Sequence, residues 1–322
     1  MIRGAGRAVR WAAAILILGP LGAWAGEPVM IPVGGGALRG TLELPDNAHA
    51  AVLIIAGSGP TDRDGNVTGM VGKNNSLRYL AEALAEAGVA SLRFDKRMIG
   101  RSTVRGLTED DLRFDTYVQD ARLWYAELKK RAGVPTFVLG HSEGGLIGTL
   151  AAEATDARGL IIVAGAGRSA PDLILEQTRQ QLPPALMKQT EEIVAALSAG
   201  QTVGDPPPML AALFRPSVQP YLVSWFRHDP ADALARLDLP ALLVYGSTDI
   251  QVPVSDGERL RDAGTETSLV VVDGMNHVLK AADGPAAAQM RSYTDPDLPV
   301  VPDAVKAVLA FVNRYTPADR DD

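Results

Sequence analysis

Cysteine is absent from all 322 residues. That absence excludes disulfides, thiolate metal sites, a cysteine nucleophile and a lipid-modified N-terminal cysteine. Histidine is scarce, with His49, His141, His228 and His277 as the whole supply. Positive charge is in deficit, with 31 Lys and Arg against 38 Asp and Glu and a formal net charge of -7. With no basic run along the chain, a general nucleic-acid binder is disfavoured. No internal repeat or low-complexity stretch is evident. Long apolar runs are missing too: Trp11 to Leu18 falls well short of the roughly 20 residues that cross a bilayer. The remainder is ordinary globular composition, 47% hydrophobic and 21% charged. It is long enough for a core that needs neither disulfide nor metal.

The first 25 residues read as an export signal rather than as part of the fold. Arg3, Arg7 and Arg10 form a basic head without acids, and Gly19-Pro20 ends the apolar stretch. Ala23-Trp24-Ala25 then gives a small-x-small cleavage pattern before Gly26. The expectation is a signal peptide over 1–25 and a periplasmic or extracellular product, with no stable membrane insertion after cleavage. The alternative is an uncleaved anchor. The arginines are not adjacent, which argues against a twin-arginine route. Loss of those three arginines takes the net charge from -7 to -10.

From Gly26 to Asp322 the pattern predicts one domain. Val29 to Val33 and Leu38 to Leu44 flank Gly34-Gly35-Gly36 and read as a hairpin. Continuous apolar runs at Ala51 to Ala56, Val89 to Phe94, Thr136 to Leu139, Gly159 to Ala164 and Ala241 to Tyr245 predict strands buried on both faces. Ser268 to Val272 is one more strand. Helical spacing marks Asn75 to Ala87, Thr116 to Arg131, Leu146 to Ala152, Ser255 to Ala263 and Asp303 to Tyr315. Alternating strands and helices predict a mostly parallel sheet with helices on both faces. Its ligands would lie at the carboxyl ends of the strands. From about 168 to 236 the alternation stops and the pattern is helical. A long insertion at that edge is expected to be a lid, with a second domain or a dimer surface as alternatives.

Gly140-His141-Ser142-Glu143-Gly144 reads G-x-S-x-G between a strand and a helix. Glycines there allow a sharp bend that lifts the serine clear. A serine hydroxyl needs a base. His141 adjoins the serine, His49 lies near an early turn, and His228 lies in the insertion. His277 follows a strand, in Gly274-Met275-Asn276-His277, and is the candidate. The acid that would hold its tautomer is Asp249, after the strand Ala241 to Tyr245, with Asp273 as the rival. The order Ser142, Asp249, His277 matches that of α/β-hydrolases. Oxyanion donors are expected from the backbone N–H groups of Glu143, at a helix start, and of Ser58, in Gly57-Ser58-Gly59-Pro60.

Five segments in this order carry a resemblance. They are Gly57 to Asn66, Arg93-Phe94-Asp95-Lys96-Arg97, Gly140 to Gly145, Gly246-Ser247-Thr248-Asp249 and Gly274 to His277. Together they resemble an α/β-hydrolase of the serine aminopeptidase-like and dienelactone-hydrolase-like branch, many of whose members are carboxylesterases. The resemblance implies Ser142 as nucleophile, Asp249 as acid and His277 as base. Met98 departs from it, standing where a glycine usually follows the arginine. Asp62, Asp95 and Arg97 read as structural charges.

The expected activity is acyl transfer to water through a serine acyl-enzyme, without metal or organic cofactor. Tyr221, Trp225 and Phe226, with Phe214 and Leu222, are candidates for an apolar substrate pocket, or else the insertion's own core. A small acyl ester is the expected substrate. A short peptide is the alternative, with Glu176, Glu191, Glu192 or Asp229 as candidates to hold its amine. A non-catalytic binding protein on the same fold is the third reading.

Overall fold

The computed structural model describes residues 26–179, 181–285 and 289–317. The expected signal at 1–25 lies outside them. The hairpin forms as β1 (Glu27–Val33) and β2 (Gly36–Glu43), followed by β3 (Ala50–Ile55), α1 (Ser76–Glu86) and β4 (Val89–Phe94). A two-residue strand β5 (Thr103–Val104), α2 (Phe114–Ala132), β6 (Thr136–His141), α3 (Glu143–Ala152) and β7 (Leu160–Val163) come next. Among the described residues, five α-helices then intervene: α4 (Ala170–Arg179), α5 (Pro184–Ser198), α6 (Ala211–Phe214), α7 (Gln219–Trp225) and α8 (Pro230–Ala235). The chain closes with β8 (Ala241–Gly246), α9 (Val254–Ala263), β9 (Thr267–Val272) and α10 (Pro302–Tyr315).

The sheet runs β1-β2-β4-β3-β6-β7-β8-β9, with β5 paired to β2. Pairing from β4 to β9 is parallel, and the hairpin joins antiparallel through β2 and β4. Parallel strands need both faces covered, and residue alternation along β3 supplies two cores. Ala51, Leu53 and Ile55 pack toward α2, α3, α8 and α9. Ala50, Val52, Ile54 and Ala56 pack toward α1 and α10. The chain moves outward from β3 to β4 and returns to β6 on β3's other side. That reversal opens a crevice at the carboxyl ends of β3 and β6, where ligands bind in such sheets.

The insertion is helical among the described residues and has its own apolar cluster, including Leu197, Leu210, Phe214 and Leu222. It docks on α2 through α7. The Trp225 ring stacks on Phe114 at 5.8 Å and 2°, and Ser224 Oγ accepts the Phe114 N–H at 2.7 Å. That N–H is one of the amides a helix start leaves without an internal partner.

Helix α3 begins hard against the sheet. A Cβ at Gly144 would lie 2.4 Å from the Ile55 carbonyl oxygen and 2.8 Å from that of Ala56. Backbone on both sides leaves no flexible end to yield. Gly144→Ala should therefore destabilise the fold by about 3 kcal/mol, the upper range for overpacking. Urea unfolding would check this; a loss below 1 kcal/mol, on the same scale, would contradict it.

Candidate active site

The turn after β6 sets the site. Ser142 sits at φ 55° and ψ -125°, a strained conformation for a side-chain-bearing residue. Its N–H donates to the Val163 carbonyl at 2.9 Å, and its own carbonyl accepts from Gly145 N at 2.9 Å. A Cβ at Gly140 would strike the Gly144 carbonyl oxygen at 2.0 Å. The flanking glycines are thus what lets strand and helix meet at this angle.

Asp249 and His277 come together across the ends of β8 and β9. His277 Nδ1–H donates to Asp249 Oδ2 at 2.8 Å, with the carboxylate fully buried. The other carboxylate oxygen accepts the N–H groups of Gln251 and Val252 at 2.7 and 3.0 Å. Three donors thus hold the acid, and with Nδ1 engaged the imidazole presents Nε2 to the cavity. Asp273, the rival, is exposed and bonds Ser247 Oγ at 3.0 Å. His49 pairs with Asn313 and His228 with Asp115.

Ser142, His277 and Ser58 line one cavity of about 330 Å³. Ser142 Oγ and His277 Nε2 share no hydrogen bond, and neither is buried without a partner, so both stand open to the cavity. Catalytic contacts of this kind commonly tighten only with substrate present. The N–H groups of Ser58 and Glu143 likewise donate to nothing among the described residues. They follow β3 and β6, neighbouring strands in the sheet.

Most of the remaining walls come from the loop after β3, from Ile250 and Gln251 beside Asp249, and from the segment between β9 and α10. Thr61, Gly65, Val67, Met70 and Asn74 belong to the loop after β3. Asn66 ties that loop together, its side-chain oxygen accepting the Asn74 and Asn75 N–H groups at 2.9 Å each. Met290 and Tyr293 come from the segment between β9 and α10. Gln251 Nε2 donates to the Tyr293 hydroxyl at 2.9 Å, and Asn276 Nδ2 donates to Ser292 Oγ at 2.6 Å. The same segment therefore braces both the Asp249 and the His277 loops. Apart from His141 and His277, no ionisable acid or base among the described residues lines the cavity except the Tyr293 phenol.

The predicted aromatic residues lie elsewhere. Tyr221 lines a neighbouring cavity of about 230 Å³ beside Lys96 and Pro60. Trp225 stacks on Phe114, and Phe226 packs with the insertion's cluster. Among the described residues, the insertion contributes none to the walls around Ser142. Asp95 is clasped by Arg63 at 2.6 Å, Arg97 by Asp120 at 2.6 Å, and Asp62 accepts the Asp64 and Asn66 N–H groups. None of the three lines the cavity. Met98 takes φ 65°, the left-handed conformation that a glycine would adopt freely.

Residues 66–231 match the family described as serine aminopeptidase, S33. The chain belongs to that family. It is 28% identical over 254 residues to esterase EstD of Thermotoga maritima, covering 77% of this chain and 59% of that relative. The chain thus spans under two thirds of the curated relative's length. Among solved structures it is similar to Est1E of Butyrivibrio proteoclasticus with ferulic acid bound, at TM-score 0.58 and 22% identity over 89% of this chain and 99% of that one. It is similar also to the proline iminopeptidase of Mycobacterium smegmatis, at TM-score 0.56 and 18% identity over 90% and 99%. At these identities the two structures establish the α/β-hydrolase fold.

His141 has a role of its own. Its Nε2–H donates to the His277 backbone carbonyl at 2.8 Å, while Nδ1 is buried without a partner. Burial, reinforced by the neighbouring His277, pulls its pKa from 6.5 down to about 4. Between those values the unfolded chain takes up a proton that the folded protein refuses. Stability is then complete above pH 6.5, falls with pH down to about 4 and levels off below. At about 1.4 kcal/mol per unit the loss is about 3 kcal/mol. Denaturant midpoints at pH 7, 5.5 and 4.5 should decline more steeply for wild type than for His141→Gln. Parallel declines would refute this account.

Proposed function

We propose that the protein is a serine hydrolase of short, uncharged carboxylic esters. Ser142 Oγ attacks the ester carbonyl as His277 Nε2 takes its proton, and Asp249 stabilises the imidazolium. The Ser58 and Glu143 N–H groups receive the oxyanion. His277 returns the proton to the departing alcohol, leaving an acyl-Ser142. Water, activated by the same imidazole, adds to that acyl group and releases the acid.

The observation that carries the ester reading is the lining of the cavity. An aminopeptidase has a substrate ammonium to hold, and among the described residues no carboxylate lines this cavity to pair with it. The four candidate acids support this by their other engagements. Glu176 pairs with Arg168, Glu191 with Arg179 and Glu192 with Lys188. Asp229 caps α8 and pairs with Arg259 at 3.2 Å. The name of the Thermotoga maritima relative agrees with an esterase, while the family description keeps a peptidase as the second reading. Volume bears on acyl length, since 330 Å³ is near the low end of ligand cavities, about 300–1,000 Å³. The signal-like N-terminus supports export to the periplasm or beyond.

A panel of p-nitrophenyl esters against aminoacyl-p-nitroanilides tests the substrate class. Acetate and butyrate esters should be turned over best, with palmitate and the free-amine anilides at least about tenfold poorer in kcat/KM, a difference of 1.4 kcal/mol or more. Preference for the anilides would overturn the reading. Asp249→Asn should lower kcat about 10⁴-fold with the fold intact, because an amide NH₂ facing Nδ1 stabilises the wrong tautomer. Near-normal kcat would remove Asp249 from the mechanism.

A further inference from the structure

The acyl-transfer scheme uses only the backbone of Glu143 and leaves a buried lysine idle. Lys96 follows β4 and is 2% exposed. Its ammonium donates to the Gly57 carbonyl at 2.5 Å and lies 3.2 Å from Glu143 Oε2. The Tyr117 ring lies under it at 5.2 Å. The second Glu143 oxygen accepts the Tyr221 hydroxyl at 2.7 Å. Tyr221 belongs to α7 and thus to the inserted helices.

A buried ion pair is seldom more stable than the apolar packing that could replace it. Stability alone therefore gives this one no purpose, whereas its location does. The Gly57 carbonyl and the Ser58 N–H belong to one peptide unit. A cation on that carbonyl fixes the plane of the unit and draws electron density from the amide, strengthening the N–H as a donor. The same ammonium holds the side chain of the residue that supplies the other donor. It also neutralises a carboxylate whose charge would otherwise oppose an oxyanion forming nearby.

We propose that Lys96 is a positioning residue for the oxyanion hole. Held by Glu143, it orients and polarises the Gly57–Ser58 peptide, and Tyr221 links the seating of the inserted helices to that arrangement. This inference rests on the ester-hydrolase reading and deepens it.

The test compares wild type, Lys96→Met, Glu143→Gln, Lys96→Met with Glu143→Gln, and Tyr221→Phe. Readouts are kcat and KM for p-nitrophenyl butyrate, affinity for a trifluoromethyl ketone that adds to the serine as an oxyanion, and labelling by a fluorophosphonate. Lys96→Met should lower kcat about 10- to 100-fold, less than loss of a whole donor, with KM within about threefold. Ketone affinity should fall in parallel with kcat. The double variant should exceed Lys96→Met in kcat, because no unpaired carboxylate remains. Tyr221→Phe, which removes one oxygen atom, should lower kcat about three- to tenfold, as loss of one hydrogen bond does. If Lys96→Met does not fold, Glu143→Gln and Tyr221→Phe decide the matter. Folded variants with unchanged kcat and ketone affinity, or with losses confined to KM, overturn the inference. A wild type that cleaves no ester and takes no label at Ser142 overturns the ester reading itself, and with it this inference.

Discussion

The site depends on a backbone conformation at one residue. Ser142 is held at positive φ between a strand end and a helix start that nearly touch. That geometry puts the hydroxyl at the head of the crevice and leaves the Glu143 N–H without an internal partner. Strain of this kind persists only where the surroundings over-determine it. Here the surroundings are β3 on one side, through the Ile55 and Ala56 carbonyls, and β7 on the other, through the Val163 carbonyl. Sheet order does the rest. Because β3 and β6 are neighbours, the Ser58 loop comes beside the serine, and because β8 and β9 are neighbours, Asp249 meets His277.

The sequence makes the frame easy to read and the site only partly so. Strands buried on both faces appear as unbroken apolar runs, and β3, β6, β7 and β8 form within a residue or two of the predicted spans. The residues expected after those strands are found there, since a parallel sheet leaves its polar groups at strand ends. Other features lack a local signal. β5 is two residues long, too short for periodicity. Met290 and Tyr293 reach the cavity from a segment that matches neither the strand nor the helix period. Lys96 reads as an ordinary charged residue, and its burial depends on Glu143, 47 positions away.

The inserted aromatic residues teach a related lesson. Tyr221, Trp225 and Phe226 form the kind of apolar cluster that lines pockets, but the same chemistry glues one helix to another. Trp225 and Ser224 are used to seat α7 on α2. Composition alone does not separate these uses; what separates them is whether a partner ring such as Phe114 lies opposite, and that is a fact of the fold. Met98 shows the converse. The glycine is absent, yet the backbone still adopts φ 65°, at a strain of about 1–2 kcal/mol for an L-residue. With 42% of it exposed, the side chain finds room.

Charge completes the argument. The chain is acidic, yet among the described residues no carboxylate lines the cavity around Ser142, and three acids behind its walls are held by other partners. Asp249 holds a histidine and two backbone amides, Glu143 holds a lysine and a tyrosine, and Asp95 is clasped by Arg63. Fixed partners of this kind cannot swing toward a bound molecule. A neutral carbonyl entering the cavity would meet the partial charges of two unpaired amides and one imidazole, while the nearby full charges, Lys96 with Glu143 and Asp249, lie paired behind the walls. Electrostatic stabilisation works best where the dipoles are preset and little else competes. The burial of charge behind the loops and its absence in front of them are therefore two sides of the same design.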